Sequence, residues 1–237
     1  MTLNLHSGGE LVEYDALRQL VTPPATPTHV PIEHHRLVDL MRGTLHMFGH
    51  EIVEEHHALD HDGMRYFGLM TLRSPYTGYT DTLGLRNSHD KSTPIGIAFG
   101  SQVFVCSNLA FIGDHVIRRR HTVNAKRELP GLLMEIIEPL ALQREHQAKK
   151  FEHYQHATLT DQQADHAIMQ LYRQGVIGVQ RIADVAREWD EPSFDDFKET
   201  RSAWRLFNAT TFALNGRIAE NPSITSRLHA VIDAAVN

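Results

Sequence analysis

The stretch His61-Asp62-Gly63, set between Ile52-Val53 and Tyr66-Phe67-Gly68-Leu69-Met70-Thr71-Leu72, decides the fold class. A polar turn with glycine between two apolar runs is the signature of a β-hairpin. What precedes it has a different period. Ile32, Leu37, Leu40, Met41, Leu45 and Phe48 recur at three to five residues, which predicts an amphipathic helix with Pro31 near its first turn and Gly49 at its end. After the hairpin, Asp81 to Phe111 holds three further apolar runs, at Thr82–Arg86, Ile95–Phe99 and Val103–Cys106. Asp90-Lys91 and Gly100-Ser101 supply the turns between them, so these runs are expected to form a three-strand meander.

From about Ala125 the pattern is helical again. Leu129 to Tyr154 reads as one long helix, apolar through Leu142 and polar beyond Gln143. Thr160-Asp161 is a helix start before Ala164–Tyr172. Three more helices are expected at Arg181–Trp189, Arg201–Leu214 and Thr225–Ala235, the first two parted by Glu191-Pro192-Ser193. The order predicts an α+β fold: an antiparallel sheet, made of the hairpin and the meander, packed by helices and followed by a helical C-terminal part. Three segments follow: an N-terminal extension (residues 1–30) with the proline-rich connector Thr22–Thr28, an α+β core (31–157), and a C-terminal helical region (158–237) packed on that core.

The 237 residues are 41% hydrophobic and 22% charged, enough apolar content for a core. A formal charge of −6 argues against polyanion binding over the whole surface but leaves room for a local basic groove. Cys106 is the only cysteine, which excludes an intramolecular disulfide and fits a reducing compartment. No apolar run approaches the roughly 20 residues needed to span a bilayer. Met1 to Glu10 has no basic region followed by an apolar one, so a cytoplasmic protein without a membrane partner is expected.

Histidine is over-used, with 17 residues. His46 and His50 share a helical face, as could His146, His153 and His156, but neither set carries the His-Glu-x-x-His pattern, and neither His46 with His50 nor His146 with His153 has a third and fourth ligand at usable spacing. No metal and no cofactor are expected. His89-Asp90, with His121 and Cys106, is the candidate acid–base or metal set; the same Asn87-Ser88-His89-Asp90 run has turn composition. Cys106 can be read as a nucleophile or as a small buried apolar side chain.

Arg118, Arg119, Arg120, Lys126 and Arg127 form a basic run with no acid until Glu128. Guanidinium forks suit phosphate oxygens, and Arg86 and Lys91 can join across the sheet. Asn87, Ser88, His89 and Asn108 would shape such a groove, with Thr122 and Asn124 beside it. A solvated charged loop is the alternative reading of the run, and pairing with the acidic stretch Asp184–Glu199 of a second copy is another. Trp204, Leu206, Phe207 and Phe212 make an apolar stripe expected to be core.

Arg86-Asn87-Ser88-His89-Asp90-Lys91-Ser92, Val105-Cys106-Ser107-Asn108-Leu109 and Arg120-His121-Thr122, with Trp204 and Asn208-Ala209-Thr210, resemble the phage/plasmid-like proteins grouped as domain of unknown function 932. The likeness runs from about Pro31 to about Thr211. It implies a protein of phages, plasmids and integrated elements, and it carries no catalytic residues. The element order also resembles that of ring-forming single-strand annealing proteins, which set a hairpin and a three-stranded sheet beside a helix along a basic DNA groove. The expected function is nucleic-acid binding, preferentially of single-stranded DNA, in recombination or replication, by a homo-oligomer. The alternatives are a hydrolase or nuclease using His89, Asp90 and His121, and a counter-defence protein that inhibits a host enzyme through Asp184–Glu199.

Overall fold

A computed structural model describes residues 9–75, 79–103, 109–214 and 223–236. It contains a six-stranded antiparallel sheet in sequential order: β1 (Glu10–Val12), β2 (Ile52–Leu59), β3 (Arg65–Leu72), β4 (Tyr79–Ser88), β5 (Ile95–Val103) and β6 (Leu109–Arg119). The fold is α+β. The helices are α1 (Tyr14–Gln19), α2 (His34–Met47), α3 (Val123–Ile137), α4 (Leu140–His156), α5 (Asp161–Arg173), α6 (Ile182–Asp190), α7 (Ala203–Leu214) and α8 (Ser223–Val236).

Two compact units divide the chain. The first comprises Met1–Pro75, Thr80–Gly100 and His115–Ala141; the second comprises Tyr76–Tyr79, Ser101–Asp114 and Leu142–Asn237. In the first unit, α2 presents Leu37, Val38, Met41 and Leu45 as one fully buried stripe. Each such side chain contributes roughly 2 kcal/mol of apolar burial, which makes this helix a main source of the unit's stability. It ends in a Schellman motif. Gly49 takes φ +76°, its amide donates to His46 O at 3.1 Å, and the His50 amide donates to Leu45 O at 2.9 Å.

The face of the sheet toward α2 is set by strand alternation. Tyr66 lies opposite Asn87 and Leu59, and Gly68 lies opposite His57 and Leu85, so these residues share one side. Phe67 and Arg86, also paired, take the other. Gly68 is required by the ring of Tyr66, which lies along its own strand: a Cβ at Gly68 would fall 2.0 Å from the Tyr66 hydroxyl oxygen. The second unit is built around α7, buried at every position except Phe212. Phe151 of α4 meets Trp204 at 4.7 Å and Phe207 at 5.5 Å between ring centres, and Trp204 and Phe207 stack at 5.4 Å. Trp204, Leu206 and Phe207 are therefore core, whereas Phe212 is 40% exposed.

Three expectations are corrected. The single helix over Leu129–Tyr154 is two helices, because Pro139 lacks an amide hydrogen and halts α3 before α4 begins at Leu140. The last meander strand is not Val103–Cys106: Val103 closes β5, the next strand is Leu109–Arg119, and Cys106 lies outside the described residues. Part of the N-terminal extension belongs to the sheet, since Glu10, Leu11 and Val12 pair with Leu59, Ala58 and His57. Among the described residues, no helix is long and apolar enough to cross a membrane.

Gly68→Ala is expected to cost about 1–3 kcal/mol, the usual penalty for forcing an extra carbon into a packed site. The cost should shrink when Tyr66 is first changed to Leu, which removes both the oxygen and the ring carbon that a Cβ would meet at 2.0 and 2.7 Å. Urea denaturation of both single variants and the double variant measures this; equal costs in the two backgrounds would disprove the contact.

Candidate functional site

One end of the sheet gathers the β2–β3 turn, the β4–β5 loop, the start of α2 and the junction between β6 and α3. Four histidines converge there: His29, His34, His89 and His121, all buried. Two of them, His34 and His121, are joined through Asn87, which has no exposed surface. Asn87 Nδ2 donates to Ile32 O at 2.7 Å and to His34 Nδ1 at 2.9 Å. Asn87 Oδ1 accepts from His121 Nε2 at 2.6 Å. These contacts fix the tautomers. His34 must accept at Nδ1, so it carries its proton on Nε2 and donates to Gly63 O at 3.1 Å. His121 carries its proton on Nε2 for the same reason.

His89 Nε2 donates to Ile32 O at 2.9 Å, so that carbonyl receives two bonds. The His89 ring stacks on His34 with centres 3.9 Å apart and planes 3° from parallel. His29 faces His121 at 5.1 Å, and its Nε2 is buried with no hydrogen-bond partner among the described residues. The backbone closes the knot: Val30 N donates to His121 O and His89 N donates to Met64 O, at 2.9 and 2.7 Å.

Every resolved shift favours neutral rings. Burial, then the neighbouring His89, pulls His34 down to about 3. Burial, then His29 and His89, pulls His121 down to about 4. Burial also lowers His89, partly offset by its bond to Ile32 O and by Glu33. A second chain of contacts adjoins this one. Tyr66 stacks on His34 at 5.4 Å; its hydroxyl lies 2.9 Å from His57 Nδ1, and His57 Nε2 lies 3.3 Å from Glu55 Oε2. Arg42 grips Glu55 with two nitrogens, and Glu55 is held down at about 2, its burial outweighed by the bonds from His57 and Arg42.

The candidate residues divide sharply. Asn87, Ser88 and His89 were expected to shape a groove, and all three are buried within the first unit, His89 at 5% exposure. Ser88 Oγ donates to Thr93 O at 2.7 Å and accepts from Thr93 N at 3.1 Å, which fixes the β4–β5 loop. Arg86 points to the opposite face from Asn87, as neighbours in a strand must. Asp90 does not pair with His89. It accepts from Arg65 Nε at 2.8 Å and from the Ser92 amide at 2.9 Å, and is held at about 2 because these bonds outweigh its desolvation. His89, Asp90 and His121 therefore do not form an acid–base set.

In the basic run, Arg119 pairs with Glu128, and Lys126 Nζ lies 3.1 Å from Glu33. Arg127 is exposed and donates to the neutral Asn124 at 3.3 Å. Arg118 and Arg120 are exposed and have no carboxylate partner among the described residues. Lys91 is exposed on the β4–β5 loop with φ +67°. Asn108 lies outside the described residues. The acidic stretch is tied locally: Asp184 to Arg181 and Arg187, Glu188 to Ser193, Asp195 to Lys198. Among the described residues, no group of three or more His, Cys, Asp or Glu is disposed to hold a metal ion. The connections of His29, His34, His57 and Tyr66 were missed in the sequence; the histidine count was the only signal of them.

Residues 26–232 match the family described as Domain of unknown function (DUF932). The chain belongs to that family. No curated protein and no solved structure matches it. In this DUF932 protein, Asn87 and His121 of the motifs that carry the resemblance meet in one hydrogen bond, and His89 bonds the same Ile32 carbonyl as Asn87.

The neutral rings set an acid limit. Above about pH 6.5 folded and unfolded histidines are alike uncharged; below it the unfolded chain takes up protons that the folded rings refuse. Stability should therefore fall as pH drops from about 6.5 toward about 4, by up to about 1.4 kcal/mol per pH unit for each ring held neutral. Glu55 and Asp90, with folded values near 2, act only below about pH 4.5, so above that pH the histidines alone among these groups set the trend. Urea midpoints at about pH 7 and about pH 5 measure the effect, and equal midpoints would contradict it.

Proposed function

We propose that the protein binds the nucleic-acid backbone, single-stranded DNA in the first place, in recombination or replication of a mobile element. The observation that carries this reading is the state of Arg118 and Arg120. Both are exposed at the end of β6 without a carboxylate partner among the described residues, while Arg119 between them is neutralised by Glu128. Arg118 lies within β6 and Arg120 directly after its end, two positions on. Two cations that close suit neighbouring phosphates of one nucleic-acid strand. Exposed Arg127 and Lys91 add positive charge.

The binding surface in this reading is narrower than the sequence suggested. Arg119 and Lys126 are paired within the chain, and Asn87, Ser88 and His89 support the loops from beneath. Discrimination then comes from the positions of a few cations, consistent with a chain of net charge −6 that avoids polyanions in general. The mobile-element setting rests on the resemblance to phage/plasmid-like proteins. Self-association belongs to the same reading, because β6 ends the strand order and a sheet edge offers backbone groups to a second copy.

The hydrolase alternative lacks an assembled pair at His89 and Asp90, and the carboxylates named above in Asp184–Glu199 are occupied locally. Neither is carried further.

Labelled single-stranded DNA, titrated at several salt concentrations, tests the proposal. Replacing Arg118 and Arg120 together by Ala should weaken binding similarly for unrelated sequences. The log–log salt slope should flatten by about 1.4, two contacts at about 0.7 each for single strands. Absence of affinity in the wild-type protein even at low salt would end this reading.

A further inference from the structure

Arg205, in the first turn of α7, is an unusual cation. It is only 4% exposed. Its Nη2 donates to Trp189 O and, at 3.2 Å, to Asp190 O; its Nη1 lies 3.4 Å from Lys198 O. These carbonyls include the last of α6, where the helix end carries partial negative charge. The guanidinium carbon also sits 5.3 Å from the centre of the Trp189 ring. Carbonyl dipoles and a ring face stabilise a cation, yet they supply no full negative charge.

Three carboxylates of the surrounding elements are paired with other cations. Asp161 pairs with Arg201, Asp184 with Arg181 and Arg187, and Asp195 with Lys198. Asp190 acts on Arg205 only through space, opposed by the positive Arg201. One donor is left over: Arg205 Nε is buried and has no hydrogen-bond partner among the described residues. A buried charged donor in that state costs free energy until an acceptor reaches it.

Arg205 also lines a cleft whose walls are Ala209 and Phe212 of α7 with Phe194 and Phe197. The enclosed space is about 10 Å³, room for one water-sized group. Glu188 stands on the same wall, with one oxygen accepting from Ser193 N at 3.0 Å and the other from Ser193 Oγ at 2.5 Å. The mouth is aromatic: Phe194 and Phe212 meet edge to face at 5.7 Å, and Phe212 is the exposed residue of α7.

We infer that this cleft binds a carboxylate borne on an apolar body, one oxygen entering to accept from Arg205 and the apolar part lying on Phe194 and Phe212. The small interior and aromatic mouth disfavour phosphate, whose other oxygens would lose water against the rings. A water molecule or an alcohol satisfies the Nε hydrogen bond but brings no negative charge into contact with the guanidinium, so the acid outcompetes its neutral analogue.

The test uses the full chain with 3-phenylpropanoate as probe and 3-phenylpropanol as its uncharged counterpart, followed by calorimetry and thermal shift at constant ionic strength. The acid should bind saturably and raise the melting temperature, and the alcohol should bind at least about tenfold more weakly. Phe212→Ala, at the exposed mouth, should weaken the acid about threefold or more. Arg205→Gln, which removes the charge, should abolish the preference for acid over alcohol; if that variant does not fold, the probe pair and Phe212→Ala decide alone. Equal affinity for acid and alcohol, no binding of the acid, or indifference to Phe212→Ala would overturn the inference. Comparing the free acid with a short peptide ending in phenylalanine separates a small-molecule source from a chain terminus.

Discussion

The carboxamide of Asn87 is the constraint on which the first unit depends. Its bonds tie β4 to the segment entering α2 through Ile32 O, to α2 itself through His34, and to the β6–α3 junction through His121. An asparagine has two donors and one acceptor oxygen in a fixed plane, so it can hold three differently placed groups only if each has the right protonation state. Neutral histidine satisfies that demand by choosing a tautomer. Aliphatic residues would pack the same volume, but they would leave Ile32 O, Gly63 O and the ends of the loops without donors, at a cost of about 1–3 kcal/mol each.

The same knot separates support from surface. With Asn87, Ser88 and His89 turned inward and the Ser88–Thr93 loop pinned by its own hydroxyl bonds, Lys91 is left at the tip and Arg118 and Arg120 at the rim. Arg119 and Lys126 stay tied to Glu128 and Glu33, which holds the start of α3 beside the start of α2. In the proposed nucleic-acid reading, a few exposed cations on a rigid frame would select a ligand by their spacing rather than by their number.

Much of the architecture was legible in the sequence, for local reasons. The stripe of α2 and its glycine stop, the His61-Asp62-Gly63 hairpin and the Thr160 cap all depend on neighbours a few residues away. Pro139 was legible too, yet the apolar run on either side of it suggested continuity. The sheet was expected to end near Phe111, although β6 runs to Arg119. The site was less legible because its contacts are long-range: Asn87 meets Ile32 across 55 positions and His121 across 34. Composition shows that histidines are plentiful and cannot show that His34 and His89 stack. Alternation along β4 puts Arg86 and Asn87 on opposite faces, a constraint that the expected groove, drawing on both, overlooked.

The central claim is that Asn87 is held by histidines of fixed tautomer, and nitrogen NMR of the imidazole rings at about pH 6 tests it most directly. The account predicts that His34 and His121 are neutral with the proton on Nε2, and that they stay so until the pH approaches about 4, where the ring near 4 is the first to charge. Rings that titrate near the ordinary value of 6.5, or that carry the proton on Nδ1, would contradict it.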